Sequence, residues 1–265
     1  MDNTCKEIRR LTVKCIGSIG SGHIGGSMSI VEVLKVLYFD KMNIDPKNPK
    51  MEGRDRLIVS KGHAGPAVYA TLALKGFFPE EWLYTLNKLG TNLPSHCDMN
   101  KTPGVDMTAG SLGQGFSCAV GIAIGSKIKK DGATIYTIIG DGESQEGQIW
   151  EAGMLAASKK LDNLIAFTDK NNMQIDGNTD DVNSLGDLKA KWKAFGWYTQ
   201  EIDGHDTEAI AAAIDKAKAK KGKPSMIILD TVKGKGITFA ESAGFKCHSM
   251  SLPEDKVNQA LSELE

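Results

Sequence analysis

The second half of the chain alternates between short apolar runs and longer amphipathic segments, and this alternation limits the possible folds more than any other feature. Three apolar runs predict strands at 134–139, 163–168 and 226–232, and a further strand is predicted at 198–202. The segments between them predict helices at 144–160, 185–195 and 207–221. Strands that alternate with helices form parallel sheets, because a crossover is needed to bring the chain back to the same edge. We therefore predict an α/β fold, a doubly wound parallel sheet with helices on both faces.

The first half carries one predicted strand, at 57–59, and mostly helical patterns. Helices are predicted at 5–19, 65–75 and 113–130, from Pro79 onward, and in the tail from Pro253. A further helix is predicted to begin with a capping box, in which Ser29 and Glu32 satisfy each other's backbone N–H groups. The sequence contains no internal repeat, so we predict a single globular unit.

Polar side chains follow two consecutive predicted strands. Asp141 comes directly after the first strand, between two glycines, and Asn171 comes directly after the second. If the strands are neighbours, both side chains lie at the same edge of the sheet, where open parallel sheets bind ligands. Carboxylate and amide oxygens suit Mg²⁺ or Ca²⁺, whose other positions phosphate and water fill. The pair therefore predicts a metal-bridged diphosphate site, with the Gly142 N–H facing an anion, whereas Gly-Asp-Gly alone would indicate only a turn.

Charge and hydropathy exclude several classes of partner. Lys and Arg number 32 against 33 Asp and Glu, a net charge of −1, which argues against nucleic acid or an anionic membrane. No apolar run approaches the ~18 residues of a membrane helix, and the N-terminal segment lacks the apolar core of a signal peptide. The five cysteines form no CxxC pair, a pattern typical of reduced thiols in the cytoplasm.

Several segments, in this order, make the chain similar to the N-terminal half of the transketolase family along nearly its whole length. They are SGHIGGSMS (21–29), SKGHAGPAVYA (60–70), SHCDMNKTPGVDMTAGSLGQG (95–115), GDGESQEG (140–147), DKNNMQIDG (169–177), DGHD (203–206) and DTVKGKGI (230–237). Each segment alone is a weak signal, but the ordered combination is specific. The resemblance implies the thiamine diphosphate-binding fold. It also implies transfer of a two-carbon ketol unit from a ketose to an aldose by thiamine diphosphate.

Carried over position by position, the resemblance also implies roles for individual residues. The metal ligands would be Asp141, Asn171 and, through its carbonyl, Met173. The cofactor would contact His63, Gly110, Leu112, Gly113, Gly142 and Asn171, and Glu146 would link the two active sites of a dimer. The catalytic residues would be His23, His63, His96 and His248, around the reactive carbon and the substrate.

The histidines suit this chemistry, because neutral or cationic imidazoles can accept a hydroxyl proton and stabilise alkoxide charge. His248 has the least typical flanks of the four. His205 is expected to be an ordinary structural histidine. Ile24 stands where many relatives have proline, and we expect only a local change of backbone from it.

Residues 1–265 are therefore predicted to form one diphosphate-binding domain of a larger enzyme. The pyrimidine-binding and C-terminal domains of a complete transketolase are expected on a separate C-terminal subunit of roughly 300 residues. The resemblance implies a two-plus-two heterotetramer of these subunits.

Two other functions remain open. The alpha subunit of a 2-oxo acid dehydrogenase decarboxylase would share Gly-Asp-Gly and Asn171, but not the SGHIGG, SKGHAG and GSLGQG segments together. A non-catalytic regulatory subunit could keep the fold, although it would be expected to lose some of the site residues. Several substrates fit the sequence equally: sugars with or without phosphate, in the pentose phosphate pathway or in a specialised one.

Overall fold

The computed structural model describes residues 2–265 and confirms the predicted sheet. The strands are β1 (Ser21–Gly22), β2 (Arg56–Val59), β3 (Ile135–Gly140), β4 (Leu164–Lys170), β5 (Tyr198–Asp203), β6 (Ser225–Asp230) and β7 (Met250–Ser251). Strands β2 to β6 form one parallel sheet in the order β2-β3-β4-β6-β5. Strands β1 and β7 form a separate antiparallel pair. The sheet has the architecture that the alternating pattern predicts.

Helices surround the sheet close to their predicted positions. They are α1 (Asn3–Gly17), α2 (Ile24–Met28), α3 (Val31–Lys35), α4 (Gly65–Lys75), α5 (Gln114–Lys129), α6 (Gly147–Ser158), α7 (Thr179–Asn183), α8 (Leu188–Ala194), α9 (Thr207–Ala219), α10 (Thr238–Ser242) and α11 (Glu254–Glu263). The predictions were wrong in three regions, one of them the helix start at Ser29. The helix expected from Pro79 is a 3₁₀ turn at Glu80–Thr85, and the first residues of the helix expected at 144–160 belong to a 3₁₀ turn at Gly142–Gln145.

Side chains that alternate along the strands fill two cores, one on each face of the sheet. From β3, Tyr136 and Ile138 pack with residues of α1, α3, α4 and α9. Ile135 and Ile139 point to the opposite face and pack with α5, α6 and α8. Because both faces are covered, β3 is buried along its whole length, as expected for a central strand of a parallel sheet.

The capping box predicted at Ser29 is wrong. Helix α3 begins at Val31, and the Ser29 hydroxyl donates to Asp169 Oδ2 at 2.7 Å. Glu32 forms an ion pair with Arg9, with 2.8 Å between Oε1 and the guanidinium. Both side chains are buried, so distant polar partners determine their hydrogen bonds in place of the local pattern.

The register of the central strands determines where the functional residues lie. Gly140 pairs with Asp169 across β3 and β4, and the Asp141 N–H donates to the Asp169 carbonyl at 3.1 Å. The prediction that these two strands are neighbours is therefore confirmed. Within residues 2–265, no helix is long and apolar enough to cross a membrane, and the five cysteines are free thiols.

Candidate functional site

A cavity of about 300 Å³ lies at the carboxyl ends of β3 and β4. Its lining includes nearly all the residues that the sequence predicts for the site, namely His23, His63, His96, Gly110, Leu112, Asp141, Gly142, Glu146, Asn171, Met173 and His248. Gly113 lies just behind this wall, with its N–H bonded to Glu143. The fold therefore brings together residues from six separate segments of the chain.

Asp141 lies at the base of the cavity, where the end of β3 turns into the 3₁₀ turn. Its side chain is nearly inaccessible and accepts hydrogen bonds from the Gly142 N–H at 2.8 Å and from the Asn172 N–H. Burial raises the pKa of the Asp141 carboxyl to about 6, and the negative charge of Asp169 adds to the effect. The Gly142 N–H expected to face an anion is thus bonded to the preceding carboxylate. A bound cation would stabilise the charge that this position otherwise disfavours.

Asn171 is oriented by its neighbours. Its Nδ2 donates to Asp169 Oδ2 at 2.9 Å, and its Oδ1 accepts the Met173 N–H at 3.2 Å. Asn171 and Met173 are among the described residues that line the cavity, whereas Asn172 is not. An Asp carboxylate, an Asn amide oxygen and a backbone carbonyl make an oxygen donor set that fits Mg²⁺ or Ca²⁺.

Residues 2–265 contain no group of three or more His, Cys, Asp or Glu side chains that could hold a metal ion. The candidate ligands Asp141, Asn171 and the Met173 carbonyl are a different kind of set, because they combine one carboxylate with an amide oxygen and a backbone carbonyl. The same finding argues against the four clustered histidines as a metal centre.

Two buried lysines of the cavity were not predicted from the sequence. Lys61 is 2% exposed, and its ammonium lies 2.6 Å from Asp169 Oδ2. Lys233 is 4% exposed, donates to the Met173 carbonyl at 3.1 Å, and lies 3.4 Å from His248 Nδ1. Burial lowers the pKa of the Lys233 ammonium, and the positive charge of Lys61 lowers it further. Two cations held close together beside a carboxylate suit an anionic ligand such as a diphosphate.

A signal for these lysines was present in the sequence. Each follows a predicted strand by a few residues and is followed by glycine within one of the segments that carry the family resemblance. A lysine near the end of a strand is usually solvated, however, and only the packing around it reveals that it is buried.

Asp169 is the centre of a buried polar cluster beneath the cavity. Its carboxylate accepts hydrogen bonds from the hydroxyls of Ser29 and Thr231, from the Asn171 amide and from the Lys61 ammonium. Burial would raise the pKa of the Asp169 carboxyl, but the charge of Lys61 and these hydrogen bonds outweigh it and hold the pKa below its ordinary value. We call these five residues the Asp169 cluster. Through Asn171, the cluster orients one of the candidate metal ligands.

Glu143 is a second buried carboxylate that the sequence did not identify. It accepts hydrogen bonds from the Gly113 N–H at 2.8 Å, from the Gly140 N–H at 3.0 Å and from the Ser60 hydroxyl. Burial raises the pKa of the Glu143 carboxyl. These bonds join the segment before α5 to the ends of β2 and β3, so Glu143 positions the wall formed by Gly110 and Leu112.

The four predicted histidines form one cluster on the wall of the cavity. The centroid of the His23 ring lies 5.5 Å from His63, 5.5 Å from His96 and 5.4 Å from His248. Burial lowers the pKa of each imidazole, most strongly at His63 and at His248, whose pKa falls to about 3 because the charge of Lys233 adds to burial. All four rings are therefore neutral at pH 7, which favours the neutral over the cationic form considered from the sequence. Neutral imidazoles can accept a proton from a hydroxyl or donate a hydrogen bond to an oxygen.

Two other residues considered in the sequence lie at the rim of the cavity or outside it. Glu146 is exposed at the rim of the cavity, where it precedes α6. His205 lies outside the cavity and is satisfied by Glu32 and by the backbone of Val232, as expected for a structural histidine.

We expect the free energy of unfolding to fall as the pH drops below about 6.5. The pKa of His248 is about 3 in the folded chain and near 6.5 when unfolded, and that of His63 is depressed in the same direction. Between those pKa values the unfolded state binds more protons than the folded state. Each pH unit of acidification therefore lowers the free energy of unfolding by at most about 1.4 kcal/mol for each histidine. The decrease is smaller where water reaches the half-buried rings. Urea unfolding between about pH 7 and pH 6 measures this dependence above the range in which the raised pKa of the Asp141 carboxyl, about 6, acts in the opposite direction. His248→Gln should make it less steep, and an unchanged slope would contradict the assignment.

The sequence of the chain is similar to those of several known proteins. Residues 1–264 match the protein family described as "Transketolase, thiamine diphosphate binding domain". The chain is 59% identical over 258 residues to the "6-deoxy-6-sulfo-D-fructose transketolase subunit SqwG" of a Clostridium species, covering 97% of this chain and 94% of that protein. It is 40% identical over 265 residues to a protein of Actinobacillus succinogenes that is named as one subunit of an apulose-4-phosphate transketolase, covering 100% and 95% of the two chains.

Solved transketolases have the same fold over this part of their length. The structure of transketolase from Leishmania mexicana superposes with a TM-score of 0.92 at 30% identity, covering 98% of this chain and 40% of that one. The enzyme from Campylobacter jejuni gives a TM-score of 0.91 at 33% identity, covering 100% and 43%. The chain thus spans nearly all of the similar subunits and less than half of the solved transketolases.

Proposed function

The chain belongs to the transketolase family, in which it corresponds to the thiamine diphosphate-binding domain, and we propose that it is the N-terminal subunit of a two-subunit transketolase. The observation that carries this function is the meeting of Asp141, Asn171 and two buried lysines in one cavity at the ends of β3 and β4. The reaction is transfer of a two-carbon ketol unit from a ketose to an aldose. Similarity to transketolases along the whole chain favours this reaction over 2-oxo acid decarboxylation.

Residues 1–265 act as a single diphosphate-binding domain, and a separate C-terminal subunit supplies the pyrimidine-binding and C-terminal domains. The lengths of the similar proteins support this division, since named subunits are covered at 94% and 95% and full-length transketolases at about 40%. We propose a two-plus-two heterotetramer, because closed symmetric assemblies are the usual form of such enzymes. The free thiols are consistent with a cytoplasmic enzyme.

A divalent cation, Mg²⁺ or Ca²⁺, completes the proposed site. Asp141, Asn171 and the Met173 carbonyl would hold it, and the buried Asp141 carboxylate fits this role because a cation offsets the charge that burial disfavours. The Met173 carbonyl accepts a hydrogen bond from the Lys233 ammonium, which a bound cation would share or displace. Lys61 and Lys233 would provide positive charge for the diphosphate, and Gly142 lines the same cavity. Thiamine diphosphate supplies the stabilisation of carbanion charge that the cleavage of a ketose requires.

The remaining predicted residues position the organic part of the cofactor and move protons. Gly110 and Leu112 would form the wall against the cofactor rings, with Gly113 directly behind it and Glu143 holding that wall in place. The neutral rings of His23, His63, His96 and His248 are arranged to accept the donor's hydroxyl proton and to return it to the product. Glu146, exposed at the rim, is placed to meet a second copy of the site.

A 6-deoxy-6-sulfo ketose is the proposed donor, because the similarity to the subunit that is named for 6-deoxy-6-sulfo-D-fructose is high and extends over the whole chain. The relatives named for apulose 4-phosphate, at 38% and 40% identity, make a phosphorylated ketose the second candidate. Both are negatively charged at the end remote from the carbonyl. A sulfonated donor would place the enzyme in a pathway for sulfonated sugars. A phosphorylated donor would place it in a pathway such as the pentose phosphate pathway.

The chain is expected to show no ketol transfer when purified alone and to gain it with the C-terminal subunit, thiamine diphosphate and Mg²⁺. Expression of the chain, alone and together with that subunit, followed by an assay with a sulfonated and a phosphorylated ketose, tests the function and the donor. Turnover by the chain alone would refute the division into two subunits. Decarboxylation of a 2-oxo acid without ketol transfer would refute the reaction. A regulatory role would be indicated if neither the chain nor the complex gained thermal stability from thiamine diphosphate with Mg²⁺.

A further inference from the structure

We propose that Arg9, Glu32 and His205 form a positioning unit that holds the segment 231–237 and thereby sets the ammonium of Lys233 in the cofactor cavity. This inference rests on the proposed function, because it assigns to Lys233 a contact with the diphosphate. None of the three residues is among the described residues that line the cavity. Any effect they have on the cofactor is therefore indirect, either through the segment that they hold or through α2, whose Met28 carbonyl also accepts a hydrogen bond from Arg9, and the Lys233 cycle below separates the two routes.

Arg9 and Glu32 form the rigid part of the unit. The guanidinium contacts both carboxylate oxygens of Glu32, with NH1 at 2.8 Å from Oε1 and NH2 at 3.0 Å from Oε2. Arg9 is inaccessible to solvent and Glu32 is 4% exposed. A buried two-point contact of this kind has a defined geometry, whereas its net contribution to stability is often small. Its presence is better explained by the orientation it gives than by the energy it adds.

His205 extends the unit from Glu32 to the backbone of the segment. Its Nδ1 lies 3.0 Å from Glu32 Oε2, and its Nε2 accepts the Val232 N–H at 2.9 Å. A backbone N–H can only donate, so Nε2 must carry a lone pair, and the proton of the neutral ring is then on Nδ1, where it faces Glu32. The carboxylate therefore selects the tautomer that accepts a hydrogen bond from Val232.

The two contacts with the segment lie on either side of Lys233. His205 bonds the Val232 N–H, and Arg9 Nε donates to the Lys235 carbonyl at 2.9 Å. The segment joins β6 to α10 without regular structure of its own, and Gly234 adopts a positive φ of 83°. Two turn hydrogen bonds within the segment, from the Lys235 N–H to the Val232 carbonyl and from the Ile237 N–H to the Gly234 carbonyl, set its local shape. Its position against the rest of the fold is set by contacts from outside, namely those of His205 and Arg9 and the bond from the Gly234 N–H to the Gly25 carbonyl. The Lys233 side chain leaves this fixed stretch and reaches the Met173 carbonyl and His248.

The geometry separates the two bonds of His205 experimentally. In His205→Asn, the shorter amide can still donate to Glu32 from the place of Nδ1, but it cannot reach the Val232 N–H. In His205→Gln, the longer amide can offer an oxygen near the place of Nε2. We expect His205→Asn to weaken binding of thiamine diphosphate with Mg²⁺ to the two-subunit enzyme by about tenfold, the effect of one lost hydrogen bond, and His205→Gln to weaken it less. Isothermal titration calorimetry measures both.

A double-mutant cycle with Lys233 distinguishes positioning from general destabilisation. If His205 acts through Lys233, then His205→Asn should have no further effect on cofactor affinity in the Lys233→Met variant. Gln200→Ala is a matched control, since it removes a half-buried hydrogen bond between β5 and α9, of 2.9 Å, without touching the segment. It should lower the unfolding temperature but leave cofactor affinity unchanged.

The outcomes separate this inference from the proposed function. If the wild-type complex does not bind thiamine diphosphate, then the proposed function fails, and this inference fails with it. If the wild-type complex binds the cofactor and His205→Asn binds it equally well, or if the effects of His205→Asn and Lys233→Met add, then the positioning role is overturned while the proposed function stands.

Discussion

Asp141→Asn is expected to abolish Mg²⁺-dependent binding of thiamine diphosphate and, with it, ketol transfer by the two-subunit enzyme. Asp141 is the single charged member of the proposed ligand set, and the affinity of such sites depends on ligand charge. Loss of residues that only support metal ligands costs about 10- to 100-fold, so loss of the ligand itself should exceed about 100-fold. Calorimetric titration of the complex with thiamine diphosphate at fixed Mg²⁺ measures the affinity directly.

The Asp141→Asn variant should nevertheless fold. Burial raises the pKa of the Asp141 carboxyl to about 6, so the neutral amide removes a charge that the fold itself disfavours, and its oxygen keeps one of the two backbone N–H bonds that the carboxylate accepts. Asp187→Asn is a suitable control, because Asp187 caps α8 at an exposed position and asparagine caps helices equally well. Cofactor binding by Asp141→Asn with near wild-type affinity would exclude Asp141 as a ligand.

Lys61→Met is expected to destabilise the chain by about 3–5 kcal/mol, because it leaves the buried Asp169 carboxylate without its counter-charge. Asp169 is fully buried and lies 2.6 Å from the Lys61 ammonium. Adding Asp169→Asn should restore most of the lost stability, since the double variant no longer buries an isolated charge. Urea unfolding of the wild type, the two single variants and the double variant gives the four free energies of the cycle.

An exposed ion pair provides the matched control. Lys127 lies 2.6 Å from Asp162 with both side chains partly exposed, so Lys127→Met should cost less than about 1 kcal/mol. If Lys61→Met were no more destabilising than Lys127→Met, the Lys61–Asp169 pair would not be a significant element of the folded state. The double variant is also expected to bind the cofactor poorly, because the cavity then lacks one of its two cations.

The alternating pattern was sufficient to predict the parallel sheet and the adjacency of β3 and β4, because β3 and β4 are buried along nearly their whole length and their apolar runs are almost continuous. The placement of β6 between β4 and β5 was not predicted. It depends on which helix covers which face, and the local pattern does not contain that information.

In the candidate site, too, some residues could be identified from the sequence and others could not. Asp141 and Asn171 could be paired from sequence because each directly follows a strand. Lys61, Glu143 and Lys233 could not, because what distinguishes them is burial beside partners far away in the chain. The capping box at Ser29 failed for the same reason, since a carboxylate 140 positions away competes successfully for its hydroxyl.

The Asp169 cluster has a consequence for how sequences of this kind can change. One carboxylate satisfies Ser29, Lys61, Asn171 and Thr231, which come from four separate parts of the chain. A substitution at any one of them leaves a buried polar group without its partner and also shifts the amide of a candidate metal ligand. These positions therefore behave as one inherited unit. Among descendants of a common ancestor, they should be replaced together in compensating combinations, while the solvated helix faces vary independently.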